Sequence, residues 1–537
     1  MDDESRVAWR DWGTDAFAEA RERECPLLLS LTATWCGSCH EMDAQTYGDP
    51  VIAARVEDDF VPVRIDVDRR PRVRERYTVG GFPSTVFATP AGRVISGTNY
   101  LGPRGMRQVL DRVREAWEDR GADAGRLPRA LAGDLPPAGE VDARIERQIA
   151  GQLREAYDDA FAGWGEAPKF PLPRTVEFAL SRELEQARAT LDAIERSLLD
   201  DAAGGFFRYA EGRDWSDPHR EKLLDENAAL VGAFARGYLH TGDDAYRRAA
   251  DRGVDFLVDT LWTGAGFGGS QAAREDGATA ADAPAPRRDR TVYAGANALA
   301  AEALLTYYAV TDDDRARTHA VRTLDEIASR LVDHGAVAHY RERGETGETF
   351  LLEDHARVTA AFARAAQVLG GGHLDVARDV ADGAVGALFE DGSFLDGPAE
   401  GAGLLDRPLR PLDANAEMAD ALFDLALLTG ESRYRDVAEE TVGAFAGAWD
   451  RLGVQVAAYG AVAGRLCRPT LRIDVGGPAG SDLHRAALRV ADHGKVVRPE
   501  AGVDDGTATV RLGEASEAAR TPDELMAGVA AVRERRE

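Results

Sequence analysis

Lysine is almost missing from this chain. Of its 65 basic residues only Lys169, Lys222 and Lys495 are lysines; the rest are arginines, and 93 acids oppose them for a formal charge of −28. So acidic a chain repels nucleic acid phosphates and anionic lipid headgroups, which excludes both as partners. It also repels itself unless salt screens it, which predicts a haloarchaeal source with a salt-rich, halophilic cytoplasm. Cysteine is nearly as scarce. Cys25, Cys36, Cys39 and Cys467 are too few and too unevenly spread for a disulfide scaffold, and they fit a reducing compartment. No apolar run approaches the roughly 20 residues that a membrane helix needs, and Met1-Asp2-Asp3-Glu4-Ser5-Arg6 is not the basic start of a signal peptide. Together these absences predict a cytoplasmic protein with no membrane partner. What is present, 44% hydrophobic and 29% charged residues, is the composition of a globular protein. A length of 537 residues implies two to four folding units at roughly 100 to 200 residues each.

Along the chain, residues 14–24 form a helical pattern, and Pro26 opens the buried-strand run Leu27-Leu28-Leu29-Ser30-Leu31-Thr32-Ala33. A helix to about Val56, a strand over 60–67, a short helix, strands over 84–88 and 93–98 and a helix over 104–117 complete a mixed α/β domain over 1–120. Residues 121–140 carry the Gly/Pro-rich stretch Leu135-Pro136-Pro137-Ala138-Gly139 and read as a linker. Beyond it a helical repeat fills 141–467. Asn227-Ala228, Asn297-Ala298 and Asn415-Ala416 each begin an apolar helix that ends at a threonine 14 residues on, and Asp354-His355-Ala356 begins a fourth copy. Each unit is a helical hairpin, six of which fit the available length. Stacked hairpins close into a toroid or curve as an open solenoid, and Gly204-Gly205-Phe206 and Gly266-Phe267-Gly268-Gly269 favour the toroid. The asparagines read most simply as helix N-caps. Residues 468–537 return to strand patterns around one helix, a small α/β appendage.

The chemistry is clearest at Cys36 and Cys39. A Cys-x-x-Cys that follows a buried strand and opens a helix places the first sulfur where free N–H groups and the helix dipole favour thiolate, the species that attacks disulfides. Cys39, one turn on, is the resolving thiol. Phe82-Pro83, before the strand at Ser84, is expected to be cis and to pack against the pair. Trp35 and His40 flank the site. Cys36-Gly37-Ser38-Cys39-His40 also spells a covalent haem motif, and His40 with Cys25 could contribute to a zinc site. Attachment of haem follows export and closed zinc sites need four ligands, so the redox reading is preferred, with no metal and no cofactor. Cys25 and Cys467 read as ordinary cysteines.

Trp35-Cys36-Gly37-Ser38-Cys39 and Gly81-Phe82-Pro83 resemble the active-site and cis-proline motifs of thioredoxin-like proteins. After them come Gly165-Glu166-Ala167-Pro168-Lys169-Phe170-Pro171, Gly204-Gly205-Phe206-Phe207-Arg208-Tyr209, and Trp215 with Pro218-His219-Arg220-Glu221-Lys222-Leu223. In this order they resemble the spermatogenesis-associated protein 20-like family, thioredoxin-domain proteins with domain of unknown function 255. The resemblance implies a multidomain fold: a thioredoxin-like α/β domain fused to an all-α six-hairpin toroid similar to glycosidases and N-acylglucosamine epimerases. It supplies no reaction. Where the family carries a histidine after its first cysteine this chain has Gly37. Where ordinary thioredoxins keep a buried acid it has Ser30, so proton transfer needs another group. Leu512 and Ser516 stand where the family has C-terminal cysteines.

Two functions follow from these residues. In the first, Cys36 attacks and Cys39 resolves the disulfide of a protein client, with a thioredoxin reductase-type reductant as partner. In the second, the toroid is a carbohydrate-active epimerase or hydrolase with a sugar ligand. His219 is then its acid or base, Glu221, Lys222 and Asp225 form a pocket wall, and Asp354 and His355 face the same pocket. The plainer alternatives are a Glu221–Lys222 ion pair, a satisfied loop histidine, and capping by Asp354 and His355.

Overall fold

The computed structural model describes residues 4–133, 135–274 and 285–535. The acidic opening Met1-Asp2-Asp3 and the linker residue Asp134 lie outside the described residues. The chain divides into two compact units. The first is Met1–Leu135 with Ser270–Asp289 and Asp396–Leu409; the second is Pro136–Gly269 with Arg290–Leu395 and Arg410–Glu537.

In the first unit, β1 (Arg10–Asp11), β2 (Leu27–Thr32), β3 (Val61–Asp66), β4 (Ser84–Ala88) and β5 (Val94–Thr98) form one sheet in the order β1-β3-β2-β4-β5. β2 pairs parallel to β3 and antiparallel to β4 and is buried along its whole length, as its unbroken apolar run requires. Helices α1 (Thr14–Glu22), α2 (Gly37–Met42), α3 (Pro50–Asp59), α4 (Pro71–Tyr77) and α5 (Pro103–Arg120) complete the unit. Ile52, Val56, Met106 and Leu110 pack with Leu28 and Phe87 in its core. The single helix expected to Val56 is interrupted. α2 passes into a π-helical turn at Asp43–Tyr47, and α3 starts afresh where the Asp49 carboxylate accepts the N–H groups of Val51 and Ile52 ahead of Pro50 at the first turn. Gly48 is required at this junction, because an added Cβ would lie 2.3 Å from the Ala44 carbonyl oxygen.

The unit also reaches past residue 120. Arg126 pairs with Val94 of β5 through both backbone groups, and two segments assigned to the toroid by sequence, 270–289 and 396–409, are counted with it. The reason lies in α4. Arg72 and Arg76 are buried, and a buried guanidinium needs acceptors. Asp396 accepts from Arg76 at 2.6 Å, and the carbonyls of Pro398, Leu405 and Arg407 accept from the two guanidinium groups at 2.6–2.9 Å.

The second unit is a closed ring. Helices α7 (Pro173–Leu180), α9 (Leu224–Thr241), α11 (Ala294–Thr311), α13 (Leu352–Leu369), α15 (Leu412–Thr429) and α17 (Ala457–Leu466) each pack on the next, and α17 packs back on α7. Outside them α8 (Leu184–Leu198), α10 (Asp244–Phe256), α12 (Asp314–Arg330), α14 (His373–Leu388) and α16 (Ser432–Gly443) each pair with the inner helix that precedes them. The sixth hairpin is made by the two ends of the ring, α6 (Ala143–Glu155) against α17. Among the described residues no helix is long and apolar enough to cross a membrane.

The repeat has a physical basis that differs from the one its sequence suggests. α9, α11, α13 and α15 are all 18 residues long, and Asn227, Asn297 and Asn415 occupy their fourth positions, not their caps. The N-caps are Leu223, Tyr293 and Pro411, which carry no capping side chain. Each asparagine instead clamps the preceding loop. Its Oδ1 accepts the N–H of Phe206, Phe267 or Phe394, while its Nδ2 donates to the carbonyl of that same phenylalanine and to the carbonyl four residues back. In α13 the fourth position is His355, whose ring nitrogens reach the carbonyls of Leu351 (2.8 Å) and Gly335 (3.2 Å). The threonine at the end of α9, α11 and α15 donates to a carbonyl one turn back and accepts the N–H two residues on.

After the ring, strands Arg472–Val475, Val496–Arg498, Ala508–Leu512 and Ala515–Ala519 form a four-stranded sheet with α18 (Asp482–Leu488) and α19 (Pro522–Glu534). Two helices stand where the sequence suggested one. The second starts at Thr521, whose hydroxyl accepts the Glu524 N–H while the Glu524 carboxylate accepts the N–H of Arg520. Leu512 and Ser516 lie in its neighbouring hairpin.

Candidate functional site

β2 delivers the chain to Trp35 and Cys36, and Cys36 is the N-cap of α2. Its Sγ accepts the backbone N–H of Cys39 at 3.2 Å. The two cysteines are joined as a disulfide with Cα atoms 5.2 Å apart, and both are nearly buried. The Phe82-Pro83 peptide is cis, as is Ala167-Pro168, which the sequence did not flag. Trp35 stands edge-on to Phe82 at 5.7 Å and donates its indole N–H to Asp68 at 2.9 Å. The site is thus framed by the end of β2, the loop after β3 and the loop before β4.

His40, at the fourth position of α2, is half-buried. Its Nε2 contacts the Thr34 carbonyl at 2.9 Å and its Nδ1 faces the Arg287 guanidinium at 3.2 Å. Because Arg287 is a donor, Nδ1 accepts and Nε2–H donates, which makes the ring neutral. Burial pushes its pKa down, and the neighbouring Arg287 adds to that against the opposing Thr34 hydrogen bond.

Ser30 is buried in β2, in register with Arg64 and Thr85, so the strand offers no acid of its own. A carboxyl does occur one strand over: Asp66 ends β3 in register with Thr32, four residues before Cys36. Burial, together with the neighbouring Asp289, pushes its pKa up to about 6, against Arg69 and two backbone N–H groups. Sequence reasoning missed Asp66 because Asp289, the neighbouring acid that raises it, stands more than 200 residues away in the chain. Cys25 is buried, and burial pushes its thiol up, away from reactivity; the Cys467 thiol, in an exposed residue, is also pushed up, by partial desolvation and then by the acids Asp142 and Glu146. Among the described residues no group of three His, Cys, Asp or Glu is placed to hold a metal ion.

The second unit separates the residues expected in its pocket. Lys222 is buried and donates to Asp200 (2.7 Å) and the Gly204 carbonyl (2.6 Å), so its ion-pair partner is Asp200 and not the Glu221 of the plainer alternative. Glu221 instead faces Arg208 (3.6 Å) and His219 (3.5 Å), while His219 bonds Glu211 at 2.7 Å and stacks on Tyr209. Asp225, in the first turn of α9, leaves Glu226 beside Arg208. Burial, with Asp225 beside it, pushes the Glu226 carboxyl up to about 8 against the neighbouring Arg208; it is a candidate acid that the sequence did not single out. Asp354 and His355 lie elsewhere. Asp354 accepts from the Gly295 N–H (2.9 Å) and contacts His339 Nδ1 (2.8 Å), and His355 is the clamp of α13. They brace the ring between α11 and α13 and do not join His219.

The ring itself encloses a cavity of about 720 Å³ bounded by its inner helices and the C-terminal appendage. None of His219, Glu221, Lys222, Asp225, Asp354 or His355 lines it. Its wall is ionic: nine arginines and lysines against seven acids. Most are matched, as in Arg236 between Glu177 (2.9 Å) and Glu302 (3.1 Å), or Arg357 between Glu353 (2.6 Å) and Glu417 (3.0 Å).

Residues 1–133 match a family described as a protein of unknown function, DUF255. Among curated proteins the chain is similar to spermatogenesis-associated protein 20 of Homo sapiens, 31% identical over 295 residues, which are 48% of this chain and 37% of that protein. The rat protein of the same name is 29% identical over the same shares. The chain therefore spans well under half the length of these relatives. A shorter stretch of 105 residues is 32% identical to thiol:disulfide interchange protein DsbD 1 of Pseudomonas aeruginosa, covering 19% of this chain and 18% of that one. Among solved structures, a sugar epimerase from a ruminal bacterium aligns with a TM-score of 0.47 at 13% identity, over 56% of this chain and 85% of that one. A family 76 glycoside hydrolase of Bacteroides thetaiotaomicron aligns with a TM-score of 0.42 at 13% identity, over 60% and 97%.

Proposed function

We propose, on the premise that this chain belongs to the spermatogenesis-associated protein 20-like family, that it is a thiol-disulfide oxidoreductase acting through Cys36 and Cys39 on a protein client. The observation that carries the reading is the placement of Cys36 as the N-cap of α2 with the Cys39 N–H directed at its sulfur. Once the pair is reduced, that N–H and the helix start stabilise a Cys36 thiolate. The thiolate attacks one sulfur of a client disulfide, forming a Cys36–client bond and releasing the other client sulfur as thiolate. Cys39, deprotonated in turn, attacks Cys36. The Cys36–Cys39 bond re-forms, the client leaves with both sulfurs reduced, and two electrons have passed to it. Asp66, the half-buried carboxyl at the end of the neighbouring strand, takes up and returns the Cys39 proton. A thioredoxin reductase-type partner restores the dithiol in a reducing cytoplasm.

In a Cys39→Ser variant the second attack is blocked, so incubation of the reduced protein with a disulfide-bonded model peptide should accumulate a mixed disulfide at Cys36. A Cys36→Ser variant should accumulate none. Equal labelling of both variants would refute the assignment.

A second reading is favoured by one observation, the placement of Glu226 and Glu221 on either side of Arg208, with His219 beside Glu221. Here the toroid acts on a sugar, Glu226 serving as general acid and His219 or Glu221 as base. Turnover of a sugar that survives Cys36→Ser but is abolished by Glu226→Gln would establish it.

A further inference from the structure

The charges along the ring cavity are not all spoken for. Arg236 is held by Glu177 and Glu302, and Arg465 by Asp420 and Asp424. Arg364, on α13 between them, makes no hydrogen bond or ion pair with any described residue, and its Nε is buried without a partner. Glu302 and Asp424 lie near enough to act on it electrostatically, but each is already bonded to another arginine. Lys495 lines the same cavity from the appendage. It is buried, and its ammonium donates only to the backbone carbonyls of Val490 (3.0 Å) and Asp492 (3.1 Å), with no carboxylate within ion-pair distance. The two cations are close enough to repel: burial lowers the Lys495 pKa to about 7, and Arg364 contributes next.

A chain with 93 acids has left two neighbouring cations, the half-buried Arg364 and the buried Lys495, without an ion-pair partner among the described residues. Desolvated unpaired charge costs several kcal/mol, and here the missing counter-charge would fall inside a cavity of about 720 Å³, the size of a small-molecule site. A guanidinium presents a planar fork that matches phosphate or carboxylate oxygens, and an ammonium adds a compact second donor. Around them Ala360, Ala421, Ala461 and Leu239 supply apolar wall, while Asp420 and Glu302 keep acceptor capacity for hydroxyl groups.

We infer that the ring cavity binds a small polyhydroxylated compound bearing one phosphate or carboxylate group, with that group held between Arg364 and Lys495. This site is built from residues of the second unit alone and does not depend on the redox reading.

The test uses the full chain at fixed chloride, with glucose 6-phosphate, gluconate, inorganic phosphate and neutral glucose as probes, read by thermal shift and titration calorimetry. Glucose 6-phosphate or gluconate should raise Tm and bind at least tenfold more tightly than glucose. A response to glucose 6-phosphate and phosphate assigns a phosphate site, and a response to gluconate alone assigns a carboxylate site. Arg364→Met should weaken that binding at least tenfold while leaving the unliganded Tm unchanged or higher, since it removes an unpaired charge. Lys495→Met should weaken binding as well, and Cys36→Ser should bind like the parent. No anion-dependent shift in the parent, or unchanged anion binding in Arg364→Met, overturns the inference.

Discussion

At Asp66, two backbone N–H groups point at one carboxylate oxygen, yet burial and Asp289 outweigh them and the pKa stands at about 6. The unfolded carboxyl titrates near 4. Between those values the folded protein holds a proton that the unfolded chain has released, so stability falls as pH rises from about 4 to 6. With the side chain partly screened by solvent, the loss should be about 2 kcal/mol. Denaturant unfolding across this window should show that slope in the parent and lose it in Asp66→Asn; an unchanged slope would place the titration elsewhere. The same scale explains the three lysines. Lys169, Lys222 and Lys495 are all buried, and the first two each join a carboxylate to carbonyls, Lys169 bonding Asp158, Ala162 and Gly165. Such a narrow cluster takes an ammonium and not the wider guanidinium fork.

Among the elements, the inner helices show what a sequence does and does not reveal. Their register was legible, because the spacing from asparagine to threonine repeats and apolar faces recur. The job of the asparagine was not, because its partners lie 21 or 30 residues upstream in loops that carry no local signature beyond glycine and phenylalanine. Likewise β2, the cysteine pair and the cis proline could be read directly, whereas the burial of Arg72 and Arg76 could not, since their acceptors come from more than 300 residues downstream. Asn227→Ala should strip both backbone groups of Phe206 of their partner and cost about 2–4 kcal/mol, measured by urea unfolding. His355→Asn should be milder than His355→Ala if the fourth position of each inner helix is one shared device. Equal costs for the two would separate α13 from the others.

Over the whole molecule, the burial of every lysine leaves arginine as the cation of the surface, set among a large excess of acids. Exposed ion pairs such as Arg433 with Asp382 and Glu431 contribute little each, so the net repulsion is relieved chiefly by dissolved salt. Thermal unfolding of the full chain should therefore shift upward by several degrees between about 0.1 M and 2 M KCl. An unchanged Tm would remove the halophilic reading.

The redox claim is tested most directly by the reduction potential of the Cys36–Cys39 pair, with Cys25 and Cys467 replaced and free thiols trapped across a series of redox buffers. A single two-electron transition between roughly −120 and −270 mV is the predicted result, the range of working oxidoreductases. Thiols that stay unpaired at every poise would contradict it.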